Sequence, residues 1–277
     1  MSAVPNLTLN NGVQIPQFGF GTFQIEPEKT KETTLKAIEL GYRHIDTAEM
    51  YRNEKQVGEA VRASGIDRSE FFVTSKLNNG AHAYDDALAA FDQTMADLDI
   101  EYLDLFLVHW PLPQVGDFVE TWRAMEEIYR SGRCRAIGVS NFQPHHLQRL
   151  FDETEIVPVV NQIEVHPYLT QDDVREFGTK NGVLTESWAP IAKGKVVDDP
   201  TITRIAEQHG KTASQVTLRW HIQRGDIVFP KSVNPDRMRE NIDIFDFELS
   251  DDEVATISQL NRDDRMGPHP DEFNWTP

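Results

Sequence analysis

The sequence predicts an α/β chain folded as a (β/α)8 TIM barrel with an N-terminal β-hairpin cap and extra C-terminal helices. Two observations predict it: short β-branched or aromatic runs alternate with amphipathic helical stretches, and eight such units fit into 277 residues. A third argues against an open doubly wound sheet. The first strand offers only "GFGTF", a G-x-G without the third glycine of a dinucleotide-binding turn. Pro and Gly are scattered rather than clustered, so residues 1–277 are expected to form one barrel domain without linkers.

The elements follow in order. "LTLNNGVQIP" reads as a hairpin, with apolar residues alternating on both sides of Asn11 and Gly12, a pair that tolerates positive φ. Strands are predicted at Phe18 to Gly21, Arg43 to Asp46, Phe71 to Lys76, Leu103 to His109, Ala136 to Ser140, Val159 to Glu164, Leu184 to Trp188 and Asp226 to Lys231. Between them lie helical patterns such as "PEKTKETTLKAIELG" and "DFVETWRAMEEIYRSG", several closed by glycine. Two patterns, "DPTITRIAEQHG" and "TASQVTLRWHIQRG", fall between strands seven and eight, so one is an extra helix. "LSDDEVATISQL" is a terminal helix, with Ser250 and Glu253 spaced as a capping box.

Composition narrows the function. There are 27 Lys and Arg against 45 Asp and Glu, a formal charge of −18, which repels phosphate backbones and anionic membranes. Any basic cluster in this background is therefore informative. Cys134 is the only cysteine, so an intrachain disulfide is impossible, and its apolar neighbours suggest a packing thiol. No basic and apolar leader opens the chain and no run of about 18 apolar residues occurs, which points to the cytoplasm. His145 and His146 in "QPHHLQRL" look like helix-start residues, because no acidic or cysteine partner sits at ligand spacing, and His166 reads as structural; no metal is expected.

In a barrel the reactive groups are released at the C-terminal ends of strands. Here those ends carry Asp46, Lys76, His109, Ser140 with Asn141, Gln162 with Glu164, Trp188, and Lys231 with Ser232. Each alone has a structural explanation, such as a helix cap; their coincidence on one rim does not. Asp46, Tyr51, Lys76 and His109 form a workable chemical set. A phenol is a poor acid at neutral pH unless a cation stabilises its phenolate, and Lys76 can do so while Asp46 holds it. His109 can hydrogen-bond a substrate carbonyl. Such a site suits protonation of an alkoxide formed by hydride addition, while Glu54 belongs to the following helix start.

Six strings in order, "GYRHIDTAEMYRNE", "VTSKL", "LFLVHWP", "GVSNF", "NQIEVHPYL" and "FPKSV" followed by Arg237, Glu240 and Asn241, resemble the aldo-keto reductases from about Gly12 to Leu260. The length, "ESWAP" and "HPDEF" are most similar to bacterial members that reduce 2,5-diketo-D-gluconate. The resemblance implies a monomeric barrel that binds NADPH without a Rossmann fold, with Asp46, Tyr51, Lys76 and His109 as the catalytic tetrad and Tyr51 as proton donor. It further implies Ser140, Asn141 and Gln162 at the nicotinamide amide and Trp188 on the ring. Thr22, Lys231, Ser232, Val233, Arg237, Glu240 and Asn241 would complete the cofactor site.

The phosphate end also makes sense from the residues alone. Lys231 and Arg237 flank the start of a helix at Pro235, so two cations and a helix N-terminus converge. The sequence departs from the family at Asn78, where relatives carry Trp, while Phe23 and Trp110 remain as apolar walls and Glu49, Arg52 and Lys193 are candidate charges at the mouth. A short tail after Leu260 suggests an open pocket and small aldehydes, ketones, dicarbonyls or keto sugars as substrates. Two other readings stand beside this one: an NADPH-binding sensor or scaffold with little turnover, and a Lys76 Schiff-base aldolase.

Overall fold

In the computed structural model, which describes residues 4–277, the first two strands form the expected hairpin. β1 (Asn6–Thr8) and β2 (Gln14–Pro16) pair antiparallel around a turn in which Gly12 takes φ +84°, a conformation that favours glycine. Leu9 and Ile15 carry the hairpin's apolar side into a buried cluster with Phe72, Leu105, Leu107, Val160 and Ile227. Asn10 and Asn11 donate to the carbonyls of Pro158 and Arg135, each at 3.0 Å. The hairpin therefore plugs the N-terminal end of the barrel.

Eight parallel strands form the wall in chain order: β3 (Gly19–Gly21), β4 (His44–Asp46), β5 (Phe72–Leu77), β6 (Leu105–Val108), β7 (Ile137–Ser140), β8 (Val160–Glu164), β9 (Leu184–Trp188) and β10 (Ile227–Val228). Closure comes from Phe18 bridging Val228, whose N–H donates to the Gln17 carbonyl at 3.1 Å. The last strand is shorter than the expected Asp226 to Lys231. The chain leaves the ladder before Pro230, which has no N–H to contribute.

A helix follows each strand: α1 (Pro27–Glu39), α2 (Glu54–Ala63), α3 (Tyr84–Leu98), α4 (Phe118–Arg130), α5 (Pro144–Glu153) and α6 (Asp172–Lys180) after β3 to β8. Between β9 and β10 lie α7 (Pro200–His209) and α8 (Ala213–Gln223). Because α8 packs on β10 while α7 packs outside it against α10 (Asp251–Ser258), α7 is the extra helix. α9 (Pro235–Ile242) follows β10 with Asn234 as its N-cap, and α10 begins with the Ser250 and Glu253 capping box. The main core lies between wall and helices, around Phe18, Phe20, Tyr42, Phe91, Phe106 and Trp122. Cys134 packs there, and burial pushes its thiol up to about 12. No helix among the described residues is long and apolar enough to cross a membrane.

Candidate active site

The strand ends place the four sequence-selected residues together. Beyond Asp46 the chain makes a 3-10 turn at Glu49–Tyr51, which Arg52 ends in the left-handed region with φ 58°. Asn53 braces this loop from inside, donating to the carbonyls of Thr22 and Ile25 and accepting from the Thr47 hydroxyl. Glu54 does open α2, and its buried carboxylate accepts from the Ser75 hydroxyl, with burial raising it to about 7.

Lys76 is fully buried, and its Nζ donates to both Asp46 oxygens at 2.8 and 2.9 Å and to the Thr47 carbonyl at 2.8 Å. The Tyr51 ring centre lies 5.0 Å from that nitrogen, with His109 and Phe23 rings beside it at 6.0 and 5.1 Å. Burial pulls the ammonium's pKa down, but Asp46 and Tyr51 more than offset it, so Lys76 stays charged. Burial raises the Tyr51 phenol above its ordinary value; Lys76 works in the other direction. Burial, reinforced by Lys76, holds His109 well below the usual imidazole range, so it is neutral at pH 7, and its Nδ1 has no hydrogen-bond partner among the described residues.

Across the barrel, Ser140 donates to the Gln162 carbonyl at 2.8 Å, and Asn141 donates to the His109 carbonyl at 3.0 Å while accepting from the Trp188 indole at 2.8 Å. Gln162 is more committed than its expected role requires. Its amide nitrogen donates to Asp46 at 2.9 Å and to Glu186 at 2.8 Å, leaving the carbonyl oxygen of the side chain as its free group. Glu186 was missed in the sequence. It sits opposite Gln162 in the β8–β9 register, fully buried, and burial followed by the nearby Asp46 raises it to about 8. The period-2 alternation of "LTESW", which turns Leu184, Glu186 and Trp188 to one face, is the signal that could have found it.

The residues expected at a cofactor phosphate lie at the start of α9. Lys231 and Arg237 are exposed and make no ion pair among the described residues, and Val233 is exposed between them. Asn234 caps the helix through the N–H groups of Asp236 and Arg237, and Ser232 accepts from the Asn234 N–H. Asn241 is buried, and Glu240 accepts from the Thr212 hydroxyl at 2.7 Å, so its carboxylate is shared with α8. Thr22 is also buried, with its N–H and hydroxyl both on the Asp46 carbonyl at 3.0 Å.

At the mouth the short tail behaves differently from the expected open rim. Glu164 accepts from the N–H groups of Met266 and Gly267 at 2.7 and 3.0 Å, with His166 on the same carboxylate. Gly267 then lies against the Trp188 ring, where an added Cβ would stand 2.5 Å from Cη2. Further on, Phe273 covers Trp110 with ring centres 4.3 Å apart, and Asn79 donates to the Trp275 carbonyl. A few residues suffice to strap the rim because strand-end and loop side chains grip the tail backbone. Phe23 is exposed, and Asn78 donates to Glu49 at 3.2 Å, so the amide at the unusual position meets a carboxylate. Arg52 and Lys193 make no ion pair among the described residues. Asp271 of the tail approaches His145 and His146, the acidic partner that local spacing did not reveal.

A match to the Aldo/keto reductase family spans residues 17–262. The glyoxal reductase of Bacillus subtilis (strain 168) is 47% identical over 266 residues, 96% of this chain and 96% of that protein. The methylglyoxal reductase DkgA of Escherichia coli (strain K12) is 42% identical over 269 residues, covering 96% and 97%. Among solved structures, a mutant of Gox0644 in complex with NADPH superposes with a TM-score of 0.95 at 45% identity, over 99% of this chain and 100% of that one.

Proposed function

The chain belongs to the aldo/keto reductase family, and on that premise we propose that it reduces small aldehydes, ketones and dicarbonyls to alcohols with NADPH. The observation that carries the reading is the buried Lys76 ammonium, fixed by Asp46 and facing the Tyr51 ring beside a neutral His109. NADPH, when bound, supplies the hydride. Tyr51 gives its hydroxyl proton to the developing alkoxide, and Lys76 stabilises the phenolate that remains. His109 orients the carbonyl oxygen through a ring N–H without adding a second positive charge. Ser140, Asn141 and the free Gln162 oxygen suit the nicotinamide amide, and Trp188 offers a flat face.

Lys231 and Arg237 support NADPH over NADH, because two cations without ion-pair partners among the described residues stand at a helix start, match a phosphate, and lie in an otherwise strongly acidic chain. Glu49 bears on the substrate: with one carboxylate oxygen hydrogen-bonded to Asn78 and the other buried without a partner among the described residues, it favours neutral carbonyls over carboxylates such as the diketogluconate that the resembling members reduce. The glyoxal and methylglyoxal reductases among the relatives fit that preference. A Schiff-base role for Lys76 is not favoured, since a nitrogen donating to three oxygens stays protonated.

The test is loss of NADPH absorbance with methylglyoxal, glyoxal, a keto sugar and a keto acid of similar size, run beside NADH. Turnover that prefers NADPH and neutral dicarbonyls is expected. Tight NADPH binding without turnover across that panel would replace the reductase with a sensor.

A further inference from the structure

We propose that His145, His146 and Asp271 form a site for one divalent transition-metal ion of the zinc class, which clasps the C-terminal tail to the start of α5. Asp271 Oδ1 lies 3.2 Å from His145 Nε2 and 3.3 Å from His146 Nε2. One donor atom from each of the three residues falls within a 4.8 Å cluster. Zinc bonds of about 2.0–2.2 Å at tetrahedral angles give ligand-to-ligand edges of roughly 3.3–3.5 Å, which the two histidine-to-aspartate separations approach.

The second observation is the aspartate oxygen itself. Oδ1 is buried and has no hydrogen-bond partner among the described residues, although two ring nitrogens stand so close to it. Neither imidazole N–H is aligned on that oxygen, an arrangement suited to a third atom held among the three.

The surroundings support the assignment. Gln114 donates to the Asp271 carbonyl at 3.2 Å and holds that turn of the tail in place. His269 stands beside the carboxylate, its Nδ1 3.8 Å from Oδ2. The nearby Arg149 is paired with Asp117 and Glu153, which offsets part of its charge. The exposed edge of His145 leaves room for water as a fourth ligand.

His146 sets the selectivity. Its Nδ1 accepts the Gln143 N–H at 3.1 Å, so metal binding at Nε2 displaces the proton held there and gives up that cap bond. Only an ion with strong imidazole affinity repays that loss. Zn2+, Ni2+ and Co2+ qualify, whereas Mg2+ and Ca2+ prefer oxygen.

The experiment uses the full chain without an affinity tag, titrated calorimetrically with Zn2+ and, separately, Mg2+. One Zn2+ per chain and no Mg2+ uptake are expected. His145→Ala, at an exposed position, and Asp271→Asn should each weaken Zn2+ binding by about tenfold or more. His209→Ala, which removes a histidine paired with Glu253 elsewhere, should leave it unchanged. Co2+ should give the intense visible bands of a tetrahedral site in the parent chain and lose them in both variants. Absence of saturable Zn2+ binding, or binding that survives Asp271→Asn, would overturn the proposal. Neither outcome bears on the reductase reading, since none of these residues belongs to the tetrad.

Discussion

Two buried carboxylates at the N-terminal end of the barrel and two carboxylates nearer its C-terminal end are satisfied differently. At the N-terminal end, Asp104 is fully buried but accepts from Arg68 at 2.6 Å, Arg135 at 2.7 Å and the Val73 N–H at 2.9 Å. Asp226 likewise meets His221 at 2.8 Å and Arg175 at 2.6 Å, which together overcome burial and hold it at about 2. Toward the C-terminal end, Glu186 and Glu49 each keep one oxygen without a partner among the described residues, and Glu186 is pushed the other way, to about 8. An unpaired buried polar atom costs stability. The N-terminal pair is satisfied on both oxygens, whereas the reactive rim combines fully paired carboxylates, Asp46 and Glu164, with these two incompletely paired ones.

Tyr51→Phe should break the comparison most severely at the reactive end. Loss of the proposed general acid is expected to lower kcat/KM about 10²–10⁴-fold, with NADPH affinity and thermal unfolding nearly unchanged. The opposite pattern is expected from the plug. Leu9→Ala empties part of the buried cluster under the hairpin and should cost about 2–5 kcal/mol in denaturant unfolding, while kcat/KM per folded molecule stays the same. A change in turnover there would show that the two ends are not separable.

Lys231→Ala should raise the Kd for NADPH roughly tenfold, about 1.4 kcal/mol, and leave NADH binding unaffected; fluorescence titration with both cofactors measures the difference. A pH-dependent effect sharpens the carboxylate contrast. Glu186 moves from 4.5 to about 8 on folding, so the folded chain keeps a proton that the unfolded chain releases. Its contribution to stability is complete below pH 4.5 and is lost as pH rises through about 8. Glu186→Gln should flatten that decline in unfolding experiments, leaving the same-signed slope from Glu54, which rises to about 7.

The eight-strand alternation was legible because each unit is local, with a β-branched run, a turn and an amphipathic helix. Asp46, Tyr51, Lys76 and His109 were legible for a related reason, since each sits at or just beyond the end of a recognisable strand. Glu186 escaped because its importance comes from Gln162 and Asp46, on strands distant in sequence. The tail escaped for the same reason. Nothing in "MGPHPDEF" says that Glu164, about a hundred residues earlier, will grip its backbone. Strand boundaries were least legible where a single proline decides them, as at Pro230.

The barrel's own inward side chains, with Leu9 and Ile15 of the hairpin packed beneath them, make it a cup with one opening. Whatever settles near Lys76 comes in through the mouth and goes out the same way, because the opposite end is filled by packed side chains.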